Sequence, residues 1–422
     1  MVGMADIAMV SSAGEAAVSS VALVDLINVL ILTVFSSLAT GGAVVTAQAI
    51  GAGDLKRAGH SANQLIYIIT AISLIVMALV LLFCRPLLHL LFGSVEPAVM
   101  EGAVVYFTIS AWSYPFIAVY SGAASLFRAM GNSRLPMYVS ALMNALNIAG
   151  NAIFVYGFHR GVDGVALSSL FSRAVAAILI LGLLHNRHSV IHVEHLLRFR
   201  FDLPLMGSIL GIGVPSSLEG GVFQLGRVLL VSMISTFGTA QISANAVANN
   251  LDNFGVIPGQ ALGLAMITVA GQCVGAADWD QVRFYVKKLM KITYACIWLL
   301  NIPLLLALPL ILKLYSLSEQ TAWYAFWLVV IHNGSAMLVW PASFTLPNAL
   351  RAAGDVKIPM AISMGSMMLF RVGGGWLLGV YLGLGVFGVW FAMLIDWAFR
   401  TLCFLLRVRR KLWLEHPAPD KK

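Results

Sequence analysis

Residues 42–54 read GAVVTAQAIGAGD, and residues 264–278 read LAMITVAGQCVGAAD. Val45 and Val269, Gln48 and Gln272, Gly51 and Gly275, Ala52 and Ala276, and Asp54 and Asp278 each lie 224 positions apart. Met9 and Met233, Gly14 and Gly238, and Ala22 and Ala246 keep that spacing, while RAMGNSRLPM (128–137) returns as RAAGDVKIPM (351–360) at 223. A near-constant offset sustained across so much of the chain marks a duplicated unit. The composition names the solvent of that unit. Of 422 residues 60% are hydrophobic and 10% charged, where soluble domains carry about 45–50% and about 25%. The excess lies in runs of about 20 apolar residues, the length that crosses a hydrocarbon core about 30 Å thick. A soluble enzyme, a secreted disulfide scaffold and a nucleic-acid-binding domain are excluded. Cys84, Cys273, Cys296 and Cys403 are scattered through apolar segments without a CxxC, so no metal site is expected.

Gly, Pro and charge divide the chain into spans near 17–50, 59–83, 97–127, 134–157, 162–186, 203–236, 243–274, 282–312, 319–350, 356–381 and 385–408, after a short piece at 1–12. Nineteen basic residues fall in alternate connections and the tail, among them Lys56, Arg128, Arg198, Lys287, Arg351 and Arg410. Three (Arg85, Arg160 and Lys313) fall in the others. The positive-inside rule puts the first set, with the C-terminus, in the cytoplasm. Each half holds six helices. An even number makes the repeats parallel, related by an axis along the membrane normal, with a central cavity between them. The expected division is a lobe at 1–186, a cytoplasmic link at 187–202, a lobe at 203–408 and a cytoplasmic tail at 409–422. The repeat offset also sets the counterpart of the 203 start about 20 residues before Met1. The segment 1–12 would rise only about 18 Å, so the first helix is expected to be truncated at its N-terminus.

VGMADIAMV (2–10), GAVVTAQAIGAGD, the LFRAMG and ALRAAGD pair, and NALNIAGNAIFVYG (144–157) together resemble the multidrug and toxic compound extrusion (MATE) family over essentially the whole chain. The resemblance implies an all-α polytopic membrane protein with twelve helices in two six-helix lobes around a V-shaped cavity. It implies a monomeric antiporter of the plasma (bacterial inner) membrane, not an enzyme. Such a protein exports organic cations or amphipathic compounds, uses no cofactor and is driven by a proton or sodium gradient. Carried residue by residue, it puts Asp6 on the acidic position of the first helix and Asn147 on the asparagine of the fifth. Asn151 stands where many members have Asp, Ser169 on a hydroxyl position of the sixth helix, and Glu219 on an acidic position early in the seventh. Trp340 replaces the Asp that sodium-coupled members carry before the ALR motif, which disfavours a sodium site in the second lobe.

A charge at mid-bilayer costs at least about 2.5–3.5 kcal/mol, so each buried one needs a reason. Counted from a turn near 14–15, Asp6 and Asp25 sit at similar depth on adjacent helices. Two close carboxylates in a low dielectric do not both ionise easily, which is the character of a proton carrier. The alternative pairs Asp25 with Arg173. The same counting pairs Arg227 with Asp252 and Arg371 with Asp396, and Arg400 stands one turn from Asp396; these read as structural ion pairs. Glu219 has no evident partner and is a candidate substrate counter-charge. Met360, Met364, Met367 and Met368 form a stripe that reads first as ordinary packing; if it faces the cavity, its thioethers, Met364 and Met367 above all, suit a site that accepts many shapes. His185, His188, His192 and His195 share a helical face, which reads as an amphipathic interfacial segment rather than a metal stripe. His332 reads as a packing residue. The runner-up function, a lipid-linked oligosaccharide flippase, would need several cationic residues for a pyrophosphate, and the first lobe offers mainly Arg173.

Overall fold

The computed structural model describes residues 6, 9–10, 14–93, 95–186, 190–191, 201–315 and 317–410. Most of the opening segment, the link between the expected lobes with His188, His192 and His195, and the tail beyond 410 lie outside them. Among the described residues the chain is helical throughout, with no strand. Among those residues ten helices are long and apolar enough to cross a membrane, and a bent pair makes up to eleven. The protein is a multi-pass integral membrane protein.

The first described half runs through α1 (Glu15–Gly51), α2 (Leu55–Phe92), α3 (Pro97–Trp112), α4 (Tyr114–Ala129), α5 (Arg134–Asn151) with a π-helical turn at Ala152–Gly157, and α6 (Val162–Leu184). The second runs through α7 (Leu203–Ile234), α8 (Thr239–Gly275), α9 (Trp279–Leu314), α10 (Glu319–Trp340), a π turn at Pro341–Thr345, α11 (Pro347–Ala352), α12 (Lys357–Ser366), π segments at Met367–Gly373 and Trp376–Tyr381, and α13 (Gly385–Arg409). The repeat is visible in the joints. Asp54 caps α2 by accepting from the Arg57 N–H at 2.9 Å, and Asp278 caps α9 from Gln281 at 3.0 Å. Gly131 and Gly354, equivalent residues of the second repeated motif, both turn the chain in the left-handed region, at φ 80° and 86°.

The span expected at 97–127 is not straight. α3 and α4 meet at 46° across Ser113. Pro115 lacks the N–H that would bond Ala111 and its ring crowds that carbonyl, so the helix breaks there. Likewise Pro341 cannot bond the Met337 carbonyl, which instead accepts from Trp298 Nε1 at 2.8 Å.

The chain divides into two compact units, residues 1–46 with 54–217 and residues 47–53 with 218–422. The boundary between these units lies within α7. Packing explains it. In the first unit Gly41 lies directly against the Ile209 carbonyl and the Gly213 backbone, and Ser217 donates to the Val34 carbonyl at 3.1 Å, so the front of α7 packs on α1. In the second unit residues 47–53, the end of α1, pack on α8. Gly51 lies on the Gln272 carbonyl and Gly275 on the Gln48 carbonyl, so the duplicated motif crosses itself with backbone against backbone.

Candidate functional site

The first unit brings together all five residues expected to couple to a cation. Asp6 is buried, at 1% exposure. Asn151 at the end of α5 donates its amide to Asp6 Oδ1 at 2.7 Å, and Ser169 on α6 donates its hydroxyl to Oδ2 at 3.0 Å. Asn147, one turn before Asn151, donates to Ser169 Oγ at 3.0 Å. α5 and α6 come this close because Gly150 has no side chain to strike Ser168, whose hydroxyl bonds the Asn147 carbonyl at 2.7 Å. Every one of these side chains presents a proton to the next, ending on the carboxyl of Asp6.

A residue that sequence reasoning missed joins the two acids. The Tyr106 hydroxyl on α3 lies 3.4 Å from Asp6 Oδ2 and 3.4 Å from Asp25 Oδ1. Asn28 donates to the same Asp25 oxygen at 3.4 Å and is itself held by the Tyr114 hydroxyl at 2.8 Å. Arg173 does not pair with Asp25. It reaches Ser113 Oγ at 2.7 Å, at the bend between α3 and α4.

In the second unit the expected pairings hold in one case and change in two. Arg371 Nη1 lies 3.8 Å from Asp396 Oδ2, and the other oxygen of that fully buried acid takes the Ser366 hydroxyl. Arg400 turns from Asp396 to the Ser343 carbonyl at 3.3 Å and lies 4.4 Å over the Phe344 ring. Asp252 does not meet Arg227. Its carboxylate lies 3.2 Å from His332 Nδ1, which also sits 2.9 Å from the Asn333 amide oxygen. His332 is packed edge-on between Trp390 and Trp397. Glu219 is not unpartnered: Arg351, held by Asn348, grips both its oxygens at 2.7 Å. Its charge is already balanced, which removes it as a free counter-charge. Met367 is fully buried against Gly226 and serves packing, and neither it nor Met364 lines the cavity of this unit.

That cavity has a volume of about 680 Å3. Its wall holds Arg227, Asp252, His332 and Arg371 among Phe223, Phe344 and three tryptophans. Trp340 is one of them, stacked on Phe344 at 5.0 Å.

A buried pair broken on one side costs about 3–5 kcal/mol. Arg371→Asp alone is therefore expected to abolish folded protein by setting two acids against each other. The double reversal with Asp396→Arg should restore part of the yield seen by size-exclusion chromatography. An unrescued double variant would mean that the 3.8 Å contact contributes nothing.

The MatE family profile matches residues 1–153 and 215–377. The uncharacterized transporter YisQ of Bacillus subtilis is 26% identical over 98% of this chain and 91% of its own length. The probable multidrug resistance protein NorM of Thermotoga maritima is 25% identical over 96% and 87%. Among solved structures, a MATE protein in the bent conformation superposes with a TM-score of 0.90 at 20% identity, over 98% of this chain and 92% of that one. An outward-facing multidrug resistance MATE transporter gives 0.87 at 21% identity, with the same coverage. With the profile spanning most of both halves, the chain belongs to the MATE family of efflux transporters.

Proposed function

We propose that this transporter is a proton-driven antiporter that exports small amphipathic molecules and carries its proton on Asp6 and Asp25. One observation carries the reading. The Tyr106 hydroxyl has a single hydrogen and stands at equal distance, 3.4 Å, from both carboxyls. It can donate to one of them. The other contact becomes a hydrogen bond when that carboxyl is itself protonated and donates to the phenol oxygen. The three groups are thus satisfied together when the two acids share one proton. Sodium fits less well. Asp6 is the one formal charge among Asn147, Asn151 and Ser169, although both asparagines keep a buried amide oxygen without a partner.

The exchange follows from linkage. Loading the dyad with a proton removes a charge from an apolar surrounding and favours the state that releases cargo. Losing the proton to the cytoplasm favours the state that binds it. The basic connections and the tail, including Arg407 and Arg409, orient the C-terminus toward the cytoplasm of a bacterial inner membrane. The organic cations implied by the resemblance would meet Arg227 and Arg371 in the second unit, so the reading stops at amphipathic cargo. A lipid-linked oligosaccharide flippase is not favoured: Arg173 is engaged at Ser113, and several relatives carry multidrug resistance names. Everted vesicles given a pH gradient or a sodium gradient separately, with one cationic and one anionic dye, test the coupling. Dye movement is expected with the pH gradient alone. Movement driven by sodium at constant pH would keep the site and reject the proton.

A further inference from the structure

We infer that the cavity of the second unit is a binding site for amphipathic organic anions, an aromatic body carrying one carboxylate or sulfonate, with Arg227 and Arg371 as the anion's ligands. Two guanidinium groups, those of Arg227 and Arg371, enter the wall of this cavity. Arg227 is exposed at the cavity wall and has neither an ion-pair nor a hydrogen-bond partner among the described residues. Arg371 is largely buried, at 12% side-chain exposure. Its Nε and Nη1 donate to no acceptor, and its nearest acid, Asp396, stands at 3.8 Å with the Ser366 hydroxyl already on it. That distance lies beyond the about 2.7–2.9 Å of a direct charge-assisted bond.

The buried donors of Arg371 left without acceptors are costly, and Arg227 adds an unpartnered cation to the same wall. An anion bound in the cavity would satisfy both. A carboxylate or sulfonate is the partner that a planar guanidinium fork fits with two parallel bonds.

The opposing charge in the wall does not reverse this preference. Asp252 is the one acid among the described lining residues, it is 5% exposed, and it faces the His332 ring at 3.2 Å. The remaining lining sets the ligand's body. Trp340, Trp390, Trp397 and Phe344 make the wall aromatic, and about 680 Å3 falls within the roughly 300–1,000 Å3 of small-molecule sites. The assignment deepens the export reading by naming its cargo, and it can be tested without a gradient.

The probes are pyrenebutyrate and pyrenebutyl-trimethylammonium, which share one aromatic body and carry opposite head groups. Binding to the full chain in detergent is read by quenching of tryptophan emission, with three tryptophans in the cavity wall as donors. Pyrenebutyrate is expected to bind at least about tenfold more tightly than the ammonium, a difference of about 1.4 kcal/mol. Arg227→Gln, which strands no acid, should erase that preference without changing the melting temperature, and Arg227→Lys should keep part of it. The site is overturned if the ammonium binds as tightly as the butyrate, or if Arg227→Gln leaves the preference intact. Failure of proton coupling is a separate result, since it is read from dye movement under a pH gradient and not from the preference between the two head groups in detergent.

Discussion

Asp6→Asn is expected to give a folded transporter that binds its cargo and no longer moves it uphill. Asparagine keeps the shape of the side chain and still accepts from Asn151, while Ser169 can rotate its hydroxyl to accept rather than donate. What disappears is the titrating oxygen. Coupling free energies between two ligands of one transporter run at about 1–3 kcal/mol, or about 5–150-fold in affinity, and with no proton to bind that factor falls to one. Gradient-driven efflux should drop to the level of vesicles lacking the protein, while the melting temperature stays as it was and cargo affinity no longer changes with pH. Tyr106→Phe should weaken coupling without abolishing it, because it removes the hydroxyl between the two acids and leaves both in place. Asp25→Asn should be intermediate. Uphill efflux by Asp6→Asn at the wild-type rate would remove Asp6 from the mechanism.

How far the sequence foretold this site depends on what residue counting can measure. Distance from a turn gives depth along a helix, at about 1.5 Å per residue. Depth sufficed for Asp6 and Asp25, which share the Tyr106 hydroxyl, and for Arg371 and Asp396. Counting gives no azimuth, and each residue turns a helix by about 100°. Arg227 and Asp252 share a depth, yet Asp252 faces α10 and meets His332, so the counted pair does not form. Glu219 failed for a related reason: its partner Arg351 lies 132 residues away, and no local spacing links them. Tyr106 carried no signal at all. A tyrosine inside an apolar run looks like any other aromatic core residue, and its role exists only because α1, α3 and the segment holding Asp6 converge on it. The repeat, by contrast, was fully legible, since equivalent residues do equivalent work: Asp54 and Asp278 cap, Gly131 and Gly354 turn.

That equivalence makes the strongest prediction about folding. Replacing a mid-helix glycine by alanine ordinarily favours the helix by about 0.8–1.0 kcal/mol. At Gly182 in α6 an added methyl meets nothing within 4 Å, so Gly182→Ala should be neutral or stabilising. At Gly51 and Gly275 the same methyl runs into the main-chain carbonyls of Gln272 and Gln48. A flexible side chain could swing away from it, but a helical carbonyl moves only if α1 and α8 separate. Separation would also pull Gln48 from the Ala352 carbonyl, which its amide now bonds at 2.8 Å. The sign therefore reverses. Gly51→Ala and Gly275→Ala should each cost at least about 2–3 kcal/mol, the upper range of overpacking in a close-packed interior. Because the two contacts are reciprocal, the costs should be nearly equal. Thermal unfolding of the three single variants in detergent reads this directly. If Gly51→Ala and Gly275→Ala melt with Gly182→Ala, the crossing is looser than its geometry implies. If they melt well below it and together, the duplicated motif is what clamps α1 to α8.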